Sequence, residues 1–159
     1  MSSGLVRGAT LEDAAAAVAV VRASISELCV ADHKNDPATL ERWLSNKNVE
    51  CFRSWLSDPR SFLVVADVRG EISGVACLHA AGNVHLCYVL PGRQRGGVSA
   101  AMLRELEAQA TRWGLAELRL TSTVGARAFY ERHGYAAIGD AVPAFGVLWH
   151  YPYSKSLGV

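Results

Sequence analysis

Two hydrophobic rhythms run along this chain, and the change between them falls near Ser61. Before it, apolar residues recur at helical spacing. A short first strand is expected over 5–7. Thr10-Leu11-Glu12-Asp13 resembles a capping box with Asp at the third helical position, opening an Ala-rich helix that runs to about Cys29. Asp36-Pro37 is a second start signal, an N-cap acid with Pro at the first helical position. Helices are expected over 38–44 and 49–56, and Asp58-Pro59-Arg60 turns the chain out of this region. After Ser61 the pattern shortens to strands at 62–68 and 72–81 around Arg69-Gly70, then another at 84–90. A helix over 98–113 places Met102, Leu106, Ala110 and Trp113 on one face and ends at Gly114. A strand at 118–122, a helix stopped by Gly134, and strands at 135–138 and 147–153 complete the order. This predicts an α/β (α+β) fold, a mixed, mostly antiparallel sheet with helices on both faces.

Composition narrows the class. Half of the 159 residues are hydrophobic and the net charge is only +1, so one domain over 1–159 is expected. That charge gives no basis for nucleic-acid or membrane-surface binding. Apolar runs such as 62–66 are too short to span a bilayer. Residues 1–4 carry no charged region followed by a long apolar one, so no secretory leader is expected. Cys29, Cys51, Cys77 and Cys87 form no C-x-x-C pair and sit in apolar, periodic contexts. Buried free thiols in a reducing cytoplasm are the expectation. The histidines are scattered, and no metal is expected.

The strongest chemical signal is the run from Val89 to Ala100. It leads from a strand through a turn containing Pro91, Arg93, Arg95, Gly96 and Gly97 into a helix. Gly96 and Gly97 let the main chain approach a ligand closely. The helix start adds N–H groups without internal partners and partial positive charge. Arg93 and Arg95 lie alongside, so the expectation is a phosphate or pyrophosphate site. Neither the dinucleotide fingerprint nor the Lys-Ser/Thr P-loop is present. What the turn does resemble is motif A of the GNAT superfamily of acyl-CoA-dependent N-acetyltransferases, V-x-P-x-x-[Q/R]-x-x-G-x-[G/A]. Val89, Pro91, Gln94 and Gly97 fit in register, and Ser99 stands where Gly or Ala is usual.

A second match lies downstream. Ala126-Arg127-Ala128-Phe129-Tyr130-Glu131-Arg132-His133-Gly134-Tyr135 resembles motif B of the same superfamily, A-x-x-F-Y-E-[K/R]-x-G-[F/Y]. Thr123 occupies the place of a usual Asn, with a hydroxyl that can cap the helix. The resemblance extends more loosely from Val6 to the C-terminus. It implies acetyl-CoA as co-substrate and a primary amine as acceptor, attacked directly in a ternary complex. It further implies cofactor contacts from Val89, Leu90, Gln94, Arg95, Gly96, Gly97, Val98, Ser99, Thr123, Ala126 and Tyr130. By the same resemblance, a main-chain N–H at Val89 or its neighbour stabilises the oxyanion, and the pantetheine arm enters a gap beside that strand.

Two side chains are candidates for proton transfer. Tyr130 matches the family's general acid, and a phenol of pKa ~10 can protonate a departing thiolate. His85, six residues before Pro91, matches a position that often holds the base. It can equally be a strand histidine satisfied by hydrogen bonds. Strict alternation puts His85, Cys87 and Val89 on one face unless a bulge intervenes. His79 and His133 are expected to be structural or exposed, and Phe129 core. Segments 30–48 and 140–146 are expected to shape the acceptor site. Asp32, Asp36 and Glu41 could attract a cationic amine there, though acids on exposed helices are usually solvated; Trp43, Trp55 and Phe145 could wall a pocket. The acceptor can be a small-molecule amine or a polypeptide amino group, and the family leaves a homodimer open. The alternative function is a non-catalytic acyl-CoA-binding or sensing module on the same fold; a longer acyl donor is a third.

Overall fold

Strands β2 (Ser61–Val68) and β3 (Glu71–His79) are buried on both faces, and this organises everything around them. Their continuous apolar runs send Leu63, Val65, Val75 and Cys77 into one core and Val64, Ala66, Ala76 and Leu78 into the other. The structure is a computed structural model that describes residues 5–158. Residues 1–4, read above as lacking a leader, and residue 159 lie outside the described residues.

Strands β1 (Val6–Gly8), β2, β3 and β4 (Val84–Val89) form an antiparallel sheet in that order. One face is covered by α1 (Ala14–Leu28) and α4 (Val49–Ser57), the other by α5 (Val98–Arg112). In α1 the buried positions Ala14, Ala17, Val20, Val21, Ser24 and Ile25 form the stripe that seats the helix on the sheet. A 3₁₀ turn, Leu11–Asp13, precedes α1. The Asp13 carboxylate accepts the Thr10 N–H at 2.8 Å and a two-point pairing from Arg7 at 2.8 and 2.9 Å. Helix α5 carries Met102, Leu106 and Ala110 into the core, as its spacing predicts.

Strand β5 (Glu117–Ser122) begins a second sheet, ordered β5, β8 (Trp149–Ser156), β6 (Ala136–Ala137), with β7 (Val142–Pro143) on β8. Between β5 and β6 lies the short α6 (Arg127–Arg132). The sequence reading missed β7 and a one-turn helix, α2 (Val30–His33), which precedes α3 (Pro37–Leu44). Asp36 caps α3 as expected, its carboxylate accepting the Thr39 N–H at 3.1 Å.

Candidate active site

Among the described residues one β-bridge joins the two sheets. Asn83 and Arg119 form a single parallel bridge, with the Arg119 amide donating to Gly82 O at 2.8 Å. Beyond it β4 and β5 share no ladder, so the strands splay apart. The Leu90 N–H donates to Ser73 O of the β3 side at 2.8 Å. Antiparallel alternation then turns the amides of Tyr88 and Leu86 toward β3 and those of Val89 and Cys87 toward the gap.

Two cavities open on this gap. The first, about 640 Å³, is lined by Val89, Gln94, Arg95, Gly97 and Ser99 from the strand-to-helix turn. Thr123, Ala126, Phe129, Tyr130, Arg132 and His133 line it from the motif B side. Gly97 takes a left-handed φ of +82°, and a Cβ there would meet nothing within 4 Å. The first main-chain bond of α5 is Ala101 N–H to Gly97 O, leaving the N–H groups of Val98, Ser99 and Ala100 without helical partners. A glycine opening onto empty space, free amides and the cations Arg95 and Arg132 make a cradle that fits a phosphorylated ligand.

The side chains of several expected members of this cradle point elsewhere, which leaves their main-chain groups as their means of contact. Arg93 is drawn away by Glu71, with contacts of 2.6 and 3.0 Å, and does not line the cavity. Leu90 packs into the α1-side core and Val98 into the α5-side core, while Gly96 sits exposed on the turn. Thr123 does not cap α6 with its hydroxyl. The N-cap is Ala126, and Thr123 offers its carbonyl to the Ala126 N–H at 3.3 Å. Phe129 packs against the α5-side core as expected and also lines the cavity, where His133, expected to be structural or exposed, joins it with ring centroids 4.6 Å apart.

Tyr130 is buried, and desolvation pushes its phenol well above the ordinary value, reinforced by the Cys87 thiol beside its hydroxyl. The Cys87 thiol is itself raised to about 11 by desolvation. Tyr130 therefore keeps its proton throughout the neutral and mildly alkaline range. Cys29 and Cys77 are buried and Cys51 and Cys87 half-buried; all four are free thiols.

The second cavity, about 530 Å³, lies on the α2–α3 side and is walled by Trp43, Phe145, Leu148 and Trp149. Val84, His85, Tyr88, Leu120, Thr121 and Thr123 line both cavities and form the passage between them. His85 reaches this passage through a bulge. The register skips from Cys77↔Leu86 to Leu78↔Val84, which leaves His85 as the extra residue. The simple alternation expected for His85, Cys87 and Val89 therefore fails: Val84, not His85, packs with Cys87 and Val89 into the α5-side core. The His85 ring stacks on His79, centroids 5.3 Å apart. Partial desolvation first, and His79 second, hold its pKa below 6.5 although solvent still reaches the ring. At neutral pH it is an unprotonated base.

Asp32 overturns its expectation as a solvated acid. It is 5% exposed, and its Oδ1 accepts the Val124 N–H at 2.9 Å. Its Oδ2 is shut away from solvent without a hydrogen-bond partner. Leaving a buried polar atom unpaired costs about 1–3 kcal/mol, more for a charged group. Burial raises the Asp32 pKa above the ordinary carboxylate value, against the opposing Val124 amide and His33. His33 fixes α2 in place: its Nδ1 accepts the Asn35 N–H at 3.0 Å, so Nε2 donates to Ile25 O at 2.9 Å. The one sequence signal for this burial is the α1 stripe Val21, Ile25, Cys29, which continues at the same spacing to Asp32 and His33. Lys47 also lines the second cavity and is equally enclosed, at 9% exposure.

The layout is that of a transferase with two substrates: an anion cradle on one side of a splayed strand pair, a second pocket on the other. Comparison with known proteins identifies the class. The model of the acetyltransferase (GNAT) domain matches residues 22–157, and the chain belongs to that family. A GCN5-related N-acetyltransferase from Rhodopseudomonas palustris, described as a class-II aminotransferase, superposes with TM-score 0.83 at 25% identity, over 95% of this chain and 94% of its own. PaiA N-acetyltransferase from Thermoplasma acidophilum, in complex with coenzyme A, gives 0.79 at 19% identity, over 95% and 97%. YncA of Salmonella typhimurium, a putative acetyltransferase with its cofactor acetyl-CoA, gives 0.67 at 20% identity, over 97% and 94%. Among curated protein sequences none matches the chain.

Proposed function

We propose that this acetyltransferase moves an acetyl group from acetyl-CoA to a primary amine by direct attack in a ternary complex. The observation that carries this reading is the passage at His85, Tyr88 and Thr123, through which the cradle cavity and the second pocket meet. Two substrates bound on opposite sides can touch there without a covalent enzyme intermediate. Coenzyme A in the PaiA complex and acetyl-CoA in that of YncA support the donor. The free thiols suit a cytoplasmic location.

Acetyl-CoA, when bound, supplies an activated acyl carbon. The cradle of Gly97, Ser99 and the neighbouring amides holds its pyrophosphate, with Arg95 beside it. The amides of Val89 and Cys87, turned into the gap, are placed to donate to the carbonyl oxygen as it gains charge. His85 takes the proton that the attacking amine must lose. Tyr130 gives its proton to the sulfur as the C–N bond forms and the C–S bond breaks.

A thiol-release assay with acetyl-CoA against amino acids, polyamines, aminoglycosides and peptides tests the reading. Amine-dependent thiol release with formation of an N-acetyl product is expected. Tight acetyl-CoA binding without turnover on any amine would replace the enzyme by the sensing module.

A further inference from the structure

The second cavity holds an acid and an amine that leave each other alone, and burial pushes both toward their neutral forms, the Asp32 carboxyl up and the Lys47 amine down. Asp32 and Lys47 both line it, both are more than nine-tenths buried, and neither forms an ion pair among the described residues. Lys47 Nζ donates to two neutral acceptors, Trp43 O at 3.3 Å and Asn46 Oδ1 at 2.6 Å, which leaves one of its three N–H donors over. Asp32 lines the same cavity with Oδ2 unpaired and closed to solvent, so an ammonium reaches it by a turn of the side chain. Buried charges are normally neutralised by a partner. Two of opposite sign, each short of one, in the wall of a single cavity point to a ligand that brings both.

We propose that the acceptor is a free α-amino acid with an apolar side chain, its ammonium drawn to Asp32 and its carboxylate to Lys47. This rests on the acetyl transfer proposed above and names the acceptor. The orientation follows from the fold. Asp32 is tied to the Val124 amide, next to Thr123 on the passage, so an ammonium held there lies at the reactive end. Lys47, which like Asp32 lines only the second cavity, has no such tie to the turn at Thr123. Trp43, Phe145 and Trp149 offer the apolar surface a side chain would cover. His85, on the passage, takes the ammonium proton before attack, so Asp32 selects and His85 activates. A polycation fits poorly. Asp32 is the one acidic residue lining the described cavity, and the other cation there, Arg119, is already engaged by Glu117 at 2.9 Å and Ala81 O at 2.9 Å. A peptide N-terminus would replace the carboxylate by an amide and leave Lys47 unanswered.

The experiment compares kcat/KM for L-phenylalanine, L-phenylalaninamide, phenethylamine and spermidine, by thiol release from acetyl-CoA with wild-type protein. The amide has the weaker base and is more often neutral at pH 7, so without carboxylate recognition it should react faster. Phenylalanine is expected to exceed its amide by about tenfold or more, the factor a single charged hydrogen-bond partner can supply. Lys47→Met should bring the phenylalanine-to-amide ratio of kcat/KM down to about one or below, a ratio read within the variant so that any general loss cancels, while Asp32→Asn should slow both. The wild-type comparison stands even if a variant fails to fold. An amide or spermidine that reacts as well as phenylalanine, or a Lys47→Met variant that slows acid and amide alike, overturns the amino-acid acceptor and leaves the transferase intact. Absence of any N-acetyl product across this panel and the broader amine set removes acetyl transfer itself, and the acceptor with it.

Discussion

The carboxylate of Asp32 accepts the main-chain N–H of Val124 at 2.9 Å, across 92 positions of sequence. One hydrogen bond thereby joins the one-turn helix after α1 to the turn that leads into the motif B helix. It also holds a charged group, half-satisfied, in the wall of the second cavity.

That arrangement should be visible as a pH-dependent cost. Burial raises the native pKa of Asp32 above its unfolded value near 3.8. Between those two values the native state binds more protons than the unfolded state, so this group's contribution is full below the unfolded pKa and lost as pH rises through the native one. Asp32→Asn keeps an oxygen for Val124 and removes the charge. The Tm of the variant relative to wild type should therefore improve from pH 4 to pH 7. A difference that stays constant over that range would mean the carboxylate carries no burial penalty.

Gly97→Glu should abolish coenzyme A affinity, because the new side chain would project into the space the cradle leaves open. The left-handed φ of +82° adds strain of about 1 kcal/mol for any residue with a Cβ. Gly97→Ala carries the strain with little of the bulk and should retain measurable binding. Calorimetry on both variants separates the effects, and undiminished affinity in folded Gly97→Glu would move the pyrophosphate site elsewhere. Arg93→Ala should change affinity little, since Arg93 answers to Glu71.

Tyr130→Phe keeps the ring in the core and removes the proton. The expected loss in kcat is roughly 10²-fold, at the lower end of general acid catalysis because water can partly substitute. Affinity for coenzyme A should stay near wild type. Since the phenol is raised well above 10, no limb of the wild-type rate profile below that pH should belong to it. An unchanged kcat with chemistry limiting would reduce Tyr130 to a packing residue.

His85 should contribute a limb of kcat/KM that rises with pH and is centred below 6.5, because desolvation and His79 disfavour its charged form. An acceptor of low pKa keeps the amine's own ionisation out of the window. His85→Gln should remove that limb. Its survival in the variant would assign proton removal to water.

Gly74→Val tests how α5 is seated. A Cβ at Gly74 would lie 2.7 Å from Met102 Cε and 2.9 Å from Val98 Cγ1, so the helix that bears the cradle rests directly on a strand without a side chain. Overpacking of this kind costs about 1–3 kcal/mol. A lower urea midpoint together with weaker coenzyme A binding is expected, as the helix start shifts with its seat. Stability equal to wild type would show that α5 can tilt away freely.

Most of the element order was legible in the chain, because helix and strand periods, caps at Thr10 and Asp36, and the turn at Arg69-Gly70 act over a few residues. The cradle was legible for the same reason: its glycines and the helix start that follows are neighbours in sequence. Short pieces escaped. Val30–His33 has one turn of pattern, and Val142–Pro143 is a strand only because β8 lies beside it.

Three features were decided by tertiary structure, with only the stripe from Val21 to Cys29 hinting at the last. The parting of β4 from β5 depends on which strand edges find partners. The bulge at His85 depends on the register against β3. The burial of Asp32 and Lys47 depends on what covers them: the same acid on a one-turn helix and the same amine in a loop would be solvated without the segments packed over them. Local periodicity is set by the geometry of one backbone segment, whereas desolvation and strand pairing are set by surfaces that distant segments bring together.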